Sequence, residues 1–241
     1  MNSDDLRAGG RRGAAPHDVD LDRAWLGVAE QVWHRRPGPV ERAAGRLLRS
    51  PGLARALVTT PSLLLGWVIA TVVVLLAGVG FTLGTGQPWV ALLAPAVAAA
   101  GIAYAYGPGI DPAWELSQSM AVSDRMVLLV RALAVFGLNA ALGLAASAAS
   151  GAAAAVTFGW LVPMTAICAL ALATAILTRS PNVGVAAGAT GWALAILAGK
   201  AAEGQFTAAI TDSAFIGPYL ALAACCGAIV MFATRIRRGT R

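Results

Sequence analysis

The chain has 241 residues, of which 58% are hydrophobic and only 12% are charged, and its mean hydropathy is +0.69. This composition is far more apolar than that of an ordinary soluble domain. The 18 basic residues, 17 arginines and one lysine, cluster before Pro61 and beside apolar runs. They do not alternate with aromatic residues along one face, so the pattern argues against nucleic-acid binding and favours lipid headgroups as counter-ions.

The N-terminal region precedes the first long apolar run. Residues 1–19 hold almost nothing to bury, which predicts a disordered tail, and they lack the apolar core and cleavage site of a signal peptide. Residues 20–61 carry two amphipathic patterns, over residues 20–34 and 40–49. In the second pattern Arg42, Arg46 and Arg49 lie opposite the apolar residues, which is typical of a helix in the membrane interface. A solvated helix that merely precedes the first span is the alternative.

Six apolar runs are long enough to cross a bilayer, at residues 62–84, 88–106, 126–149, 153–178, 183–200 and 216–234. They predict an all-α integral membrane protein with a six-helix transmembrane domain over residues 62–234 and a basic cytoplasmic tail over 235–241. With both termini in the cytoplasm, only Lys200 of the basic residues faces outward. The positive-inside rule therefore predicts this orientation, and we expect a multi-pass protein of a bacterial plasma membrane.

Catalytic motifs are missing from the sequence. There is no HExxH, no Gly-x-Ser-x-Gly, no histidine within a predicted span and no phosphate-binding loop. The three cysteines lie in apolar runs, as small packing residues do. We expect no enzymatic activity, cofactor or metal site in this chain alone, and any ATP would be bound by another subunit.

The longest polar stretch between predicted spans covers residues 104–132. Asp111 followed by Pro112 predicts the start of a short cytoplasmic helix that ends near residue 121. That helix is too short to cross a bilayer and too apolar for water alone, because it carries Trp114, Leu116 and Met120 beside Glu115. It therefore predicts docking on another surface, although an ordinary helix lying on the membrane fits as well. The next span begins with Arg125, and Arg131, about two turns further on, is expected to reach back to the inner headgroups.

This arrangement resembles the permease family of type-2 ABC exporters. The matching residues are Glu115, Leu116, Met120, Ser123, Arg125 and the apolar run that ends at Arg131. The run GPGIDPAWEL is also similar to actinobacterial-type membrane subunits encoded with ABC ATPases. The chain departs from these patterns at Ala121–Ser123, where the family often has Ser-Pro, and it lacks the N-terminal cysteines of a zinc module.

The resemblance implies a role and partners. The helix around residues 111–121 would be the coupling helix that docks on an ATPase subunit, which would bind ATP and Mg²⁺. A second permease subunit, identical or related, would complete the translocation path. The resemblance also implies a partly re-entrant hairpin over residues 201–215, for which a plain exposed loop is the alternative.

Within the spans a few residues stand out. The spacing of Gly184, Gly188 and Gly191 predicts close helix contact, more commonly inside the subunit than at a dimer seam. Asn139 is the one strong amide in the middle of a span and, with Arg131, is a candidate for interhelical hydrogen bonding or for the translocation path.

Two further interpretations concern aromatic residues and the N-terminal helices. Trp67, Trp89, Trp160 and Tyr219 are spread along span ends and interiors, and for most of them this favours an aromatic belt at the membrane interfaces over a binding cage. The two amphipathic patterns before residue 61 could hold a cytoplasmic partner. A membrane regulatory or scaffold protein is therefore the alternative to a permease.

Overall fold

The computed structural model describes Arg23, Leu26, residues 38–49, Ala54, Val58, and residues 65–106 and 124–236. Every regular element in these segments is helical. The α-helices are α1 (Pro39–Leu48), α2 (Leu65–Thr85), α3 (Trp89–Tyr104), α4 (Asp124–Ala149), α5 (Ala154–Gly159), α6 (Leu161–Thr178), α7 (Pro181–Glu203), α8 (Ala208–Thr211) and α9 (Ile216–Ile236), with a 3₁₀ turn at Ser213–Phe215.

Five segments of the described chain are long and apolar enough to cross a membrane. They are Leu65–Thr85, Arg125–Ala149, Ala154–Thr178, Pro181–Glu203 and Ser213–Thr234. The predicted span over residues 88–106 corresponds to α3, an apolar helix of 16 residues. At 1.5 Å per residue α3 is roughly 24 Å long, less than the ~30 Å hydrocarbon core. The structure thus has five candidate spans, one fewer than the six predicted from the sequence.

Helix α3 lies at the centre of the bundle, where it contacts α2, α4, α6 and α7. Its buried face consists largely of alanines, including Ala94, Ala98, Ala99 and Ala103. Small side chains allow helix backbones to approach closely, which is how packing in lipid gains its van der Waals energy. The shortest of the long apolar helices is thus the one that packs against four others.

Helix α7 packs against α6 and α3 through its glycines. A Cβ atom on Gly184 would lie 2.6 Å from the carbonyl oxygen of Ala171 on α6. One on Gly188 would lie 3.0 Å from the Cβ of Ala99 on α3. The predicted close contact is confirmed, and it is made inside the subunit.

The neighbouring helices run in alternating directions. The hydroxyl of Tyr104, at the end of α3, donates to Oδ1 of Asn182, at the start of α7, over 3.0 Å. A guanidinium nitrogen of Arg125, at the start of α4, donates to the sulfur of Met231, near the end of α9, over 2.8 Å. We call the end of the bundle that carries Arg125 and Arg179 the arginine end, and the opposite end, which carries Lys200, the lysine end.

The predicted span over residues 153–178 contains a break. Helix α5 ends at Gly159 and α6 begins at Leu161. Pro163 lies in the first turn of α6, where the lack of an N–H costs no intrahelical hydrogen bond. Trp160, between the two helices, is fully buried, and a Cβ on Gly143 of α4 would lie 2.6 Å from its ring.

Candidate functional site

Most residues of the predicted coupling helix lie outside the part of the chain that the structure describes. These are Asp111, Trp114, Glu115, Leu116 and Met120. Arg125 is described, and its guanidinium contacts Met231 at the arginine end. The coupling helix therefore stays a prediction.

Helix α1 carries the basic residues predicted to lie in the membrane interface. Arg42, Arg46 and Arg49 are all exposed, and Arg49 ends the helix in the left-handed conformation (φ 49°). The predicted basic helix over residues 40–49 is thus present, and its contact with the membrane stays a prediction. Of the helix predicted over residues 20–34, only Arg23 and Leu26 fall within the described residues, and both are helical.

A buried stripe runs along α4 at every fourth residue, the spacing that keeps side chains on one helix face. Its members are Val127, Arg131, Val135, Asn139, Gly143 and Ser147. Arg131 is only 1% exposed. The prediction that Arg131 reaches back to the headgroups is therefore wrong, because helix packing encloses its side chain inside the bundle.

Asn139 lies at the middle of this stripe. Its Nδ2 donates to the carbonyl of Val135 on the same helix over 2.8 Å, so this hydrogen bond does not join two helices. Its Oδ1 is buried and has no hydrogen-bond partner among the described residues, and the same holds for Nε1 of Trp67 on α2. A Cβ on Gly101 would lie 3.4 Å from Asn139 Nδ2 and 3.3 Å from Trp67 Nε1. Two donor nitrogens, Asn139 Nδ2 and Trp67 Nε1, thus lie close to Gly101.

The segment between α7 and α9 folds back into the lysine end of the bundle. We call residues 204–215 the hairpin. It begins at Gly204, in the left-handed conformation (φ 73°), and its helix α8 is buried at residues 208–210. A Cβ on Gly199 would lie 2.6 Å from the amide nitrogen of Ala209, and the hydroxyl of Tyr219 donates to the carbonyl of Ala209 over 3.0 Å. A plain exposed loop is therefore the wrong description of residues 208–210.

A groove of about 670 Å³ opens between α3, α7 and the start of the hairpin. Its walls are mainly apolar, and polar side chains come from the two turns at the lysine end. We call it the lysine-end groove, and it is lined by Gln87, Trp89, Leu92, Leu93, Ala96, Ala189, Trp192, Ala193, Ile196, Gly204, Gln205, Phe206 and Thr207.

The aromatic residues of the groove are each held in place by a second contact. Nε1 of Trp89 donates to Oγ1 of Thr85 over 3.0 Å, and Nε1 of Trp192 donates to the carbonyl of Leu92 over 2.6 Å. The ring of Phe206 lies 4.3 Å from Nζ of Lys200, which is the distance of a cation–π contact. These contacts orient the three aromatic side chains along the groove.

Two of the four residues considered for an aromatic belt do not present their rings at the protein surface. Trp160 and Tyr219 are buried in the bundle, and each packs against another helix or the hairpin. Trp67 makes an edge contact with Tyr104, with ring centroids 5.5 Å apart. The groove was not predicted from the sequence. The local pattern that could have indicated it occurs in two turns, where a glutamine is closely followed by an aromatic residue: Gln87 with Trp89, and Gln205 with Phe206.

Among the described residues, no group of three or more His, Cys, Asp or Glu side chains is placed to hold a metal ion. The chain matches no protein-family model, no characterised protein and no solved structure. The five segments of the described chain that are long and apolar enough to cross a membrane nevertheless define a class. It is a multi-pass membrane protein.

Proposed function

We propose that the chain is the membrane-spanning permease subunit of an ABC exporter, which forms a translocation path and couples to a separate ATPase subunit. The observation that carries the proposal is the alternation of the helices. Tyr104 meets Asn182 at the arginine end, whereas Trp192 meets Leu92 further toward the lysine end. Helix α3 thus runs antiparallel to α7, and in our proposal it is a sixth, short span, as the resemblance implies.

Charge supports an orientation with the arginine end in the cytoplasm and α3 as a sixth, short span. Arg125 lies at the start of α4 and Arg179 at the end of α6, and Lys200 is the basic residue of the opposite end. Arginine and lysine accumulate on the cytoplasmic side of membrane proteins. In this orientation both termini lie in the cytoplasm of a cell whose plasma membrane holds the protein.

The hairpin is the second supporting feature. Its helix α8 is buried at the lysine end, and Asp212 Oδ1 accepts a hydrogen bond from the amide of Ala214 over 2.9 Å where the chain turns toward α9. A partly re-entrant segment before the last span is what the resemblance implies at this place. In our orientation the hairpin lies on the outer side.

Two features suggest the proposed partners: the sequence has no phosphate-binding loop, and the outer helices expose large apolar side chains. The sequence has no phosphate-binding loop, so ATP and Mg²⁺ would be bound by the ATPase subunit. Large apolar side chains of the outer helices are exposed, among them Leu65 and Ile69 on α2 and Phe232 on α9. These faces suit lipid or a second permease subunit, because both present apolar surface within the membrane.

The test is capture of a tagged full-length chain from its native membrane, followed by mass spectrometry of the bound proteins. We expect an ATPase subunit, and we expect the double variant Trp114→Ala/Glu115→Ala to reduce its recovery at least tenfold. Ser117→Ala, on the same predicted helix, is the matched control and should leave recovery unchanged. Undiminished capture by the double variant would contradict the role assigned to residues 111–121.

A membrane regulatory or scaffold protein is the second candidate function, and one observation favours it. Helix α1 exposes Arg42, Arg46 and Arg49 together, as a surface that a cytoplasmic partner could bind. Deleting residues 1–49, which removes α1 as well, should spare ATPase capture if the chain is a permease. Loss of the only captured partner on that deletion would instead support the scaffold.

A further inference from the structure

We propose that the lysine-end groove binds one acyl chain of an amphiphile with an anionic phosphate headgroup, such as an anionic phospholipid. This site goes beyond the proposed function, because it needs neither an ATPase subunit nor transport. The depth of the groove, the chemistry of its walls and the polar groups at its mouth all support such binding.

The groove fits within one leaflet of a bilayer. Its lining follows α3 from Trp89 to Ala96, a rise of roughly 10 Å along the helix. Half of the hydrocarbon core is about 15 Å thick. The volume of about 670 Å³ also lies within the ordinary range of ligand pockets. A chain that enters at the lysine end would thus stay within one leaflet.

The walls suit a hydrocarbon chain. Leu92, Leu93 and Ile196 are apolar, and the small side chains of Ala189 and Ala193 leave the depression open. Trp192 is buried, and its ring N–H is already bonded to the carbonyl of Leu92. Trp192 therefore presents an apolar ring surface to the groove, and its N–H does not need a hydrogen-bond acceptor on the ligand.

The mouth suits a headgroup. Gln87, Gln205 and Thr207 lie on the turns that close the groove at the lysine end. Lys200 is exposed, and its ammonium lies over the ring of Phe206, which lines the groove. Neither Lys200 nor Glu203, which lies in the same last turn of α7, is part of the lining, but Lys200 contacts the lining residue Phe206. The lysine would attract a phosphate group, while amide and hydroxyl groups would donate hydrogen bonds to its oxygens.

The polarity along the groove favours an amphiphile over a second copy of this chain. Polar groups are confined to one end and the rest of the lining is apolar. A transmembrane helix from another subunit would present apolar side chains along its whole length, including the polar mouth. A lipid matches both parts of the groove, because its charged headgroup would lie at the polar mouth and its acyl chain along the apolar walls.

The test uses the full chain in nanodiscs that contain equal parts of phosphatidylglycerol and phosphatidylcholine. The probe is a phosphatidylglycerol with a photoreactive diazirine on one acyl chain, and labelled peptides are identified by mass spectrometry. We expect labelling to concentrate on residues 89–96 and 189–196. Even labelling of all membrane-facing helices would overturn the proposal.

Two kinds of variant test separately the binding of the acyl chain and the binding of the headgroup. Ala193→Phe fills the groove and should lower labelling at least tenfold, whereas Ala198→Phe, at an exposed alanine of α7 outside the lining, should not. Ala189→Phe serves in place of the first variant if that variant does not fold. Lys200→Gln should reduce the preference for phosphatidylglycerol over phosphatidylcholine by about fivefold.

Undiminished labelling in folded Ala193→Phe would overturn the site while leaving the proposed function untouched. If the oligomeric state of that variant also changes, the groove would be assigned to a second copy. ATPase capture, measured on the same variants, reports separately on the proposed function.

Discussion

Gly184 and Ala171 lie in backbone contact across the seam between α7 and α6. A Cβ atom on Gly184 would be 2.6 Å from the carbonyl oxygen of Ala171 and 2.8 Å from the Cβ of Ala175. Real Cβ atoms essentially never approach so closely, and a backbone carbonyl cannot rotate away as a side chain can. The glycine therefore sets the distance between these two helices.

Substituting this glycine should loosen the bundle. We expect Gly184→Ala to destabilise the protein in detergent by about 1–3 kcal/mol, because the two helices must separate to admit the methyl group. The measurement is thermal unfolding followed by circular dichroism. Gly137→Ala is the matched control, since nothing lies within 4 Å of that Cβ position, and it should not destabilise the protein. Equal effects of the two variants would contradict the role of Gly184.

The contact between Gly143 and Trp160 should show energetic coupling. A Cβ on Gly143 would lie 2.6 Å from one ring carbon of Trp160 and 3.0 Å from another, and a phenyl ring at position 160 lacks these atoms. We expect Gly143→Ala to cost at least about 1 kcal/mol less in a Trp160→Phe background than in the wild-type background. A double-mutant cycle of unfolding free energies measures this difference. If the effects of the two substitutions on the unfolding free energy simply add, Gly143 and Trp160 are not in tight contact.

The hairpin predicts a sharp difference in accessibility between two nearby positions. In a background without Cys168, Cys225 and Cys226, a cysteine replacing exposed Gln205 should react with a membrane-impermeant maleimide on intact cells. A cysteine replacing Ala209, which is 1% exposed, should react only after denaturation. Reaction of the first variant only in inside-out vesicles would reverse the proposed orientation, and equal reactivity of both would contradict the buried hairpin.

The hydroxyl of Tyr219 should stabilise the hairpin. It donates to the buried carbonyl of Ala209 over 3.0 Å, so Tyr219→Phe leaves that acceptor without its side-chain donor. We expect a loss of about 0.5–1.5 kcal/mol in thermal unfolding. Tyr104→Phe removes an exposed bond of the same length, to Asn182, and should cost less because water replaces it. The opposite order of the two costs would contradict this account.

Asn139 should contribute little to folding. Its amide nitrogen bonds to the carbonyl of Val135 on its own helix, and its buried Oδ1 has no partner within the described chain. We expect Asn139→Leu to change the unfolding free energy by less than about 1 kcal/mol, in keeping with the modest worth of polar contacts in membranes. A loss of 2 kcal/mol or more in thermal unfolding would show that the amide joins helices after all.

The positions of the spans were largely predictable from the sequence. Runs at residues 126–149, 183–200 and 216–234 correspond to α4, α7 and α9, whose ends differ from the prediction by no more than three residues. Hydropathy reveals such segments because a helix in lipid must satisfy its backbone hydrogen bonds internally and cover them with apolar side chains. The glycine spacing of α7 also predicted close contact correctly.

Burial was not predictable in the same way, because a span that faces lipid and one that faces protein have the same apolar composition. Sequence reasoning assigned Trp160 and Tyr219 to the membrane interfaces and Arg131 to the headgroups, and all three are buried. Their environment depends on which helices meet them, and that is set by contacts far apart in the chain.

The sequence by itself determined that the chain is helical, apolar and divided into membrane-crossing segments, since local hydrophobicity and turn residues act over 20 residues or fewer. Only the tertiary structure decided that α3 packs against four other helices, and that Trp89, Trp192 and Phe206 line one groove. These three residues come from separate segments. Their proximity follows from how small residues such as Gly188 and Ala99 let helices approach, and no local pattern specifies that packing.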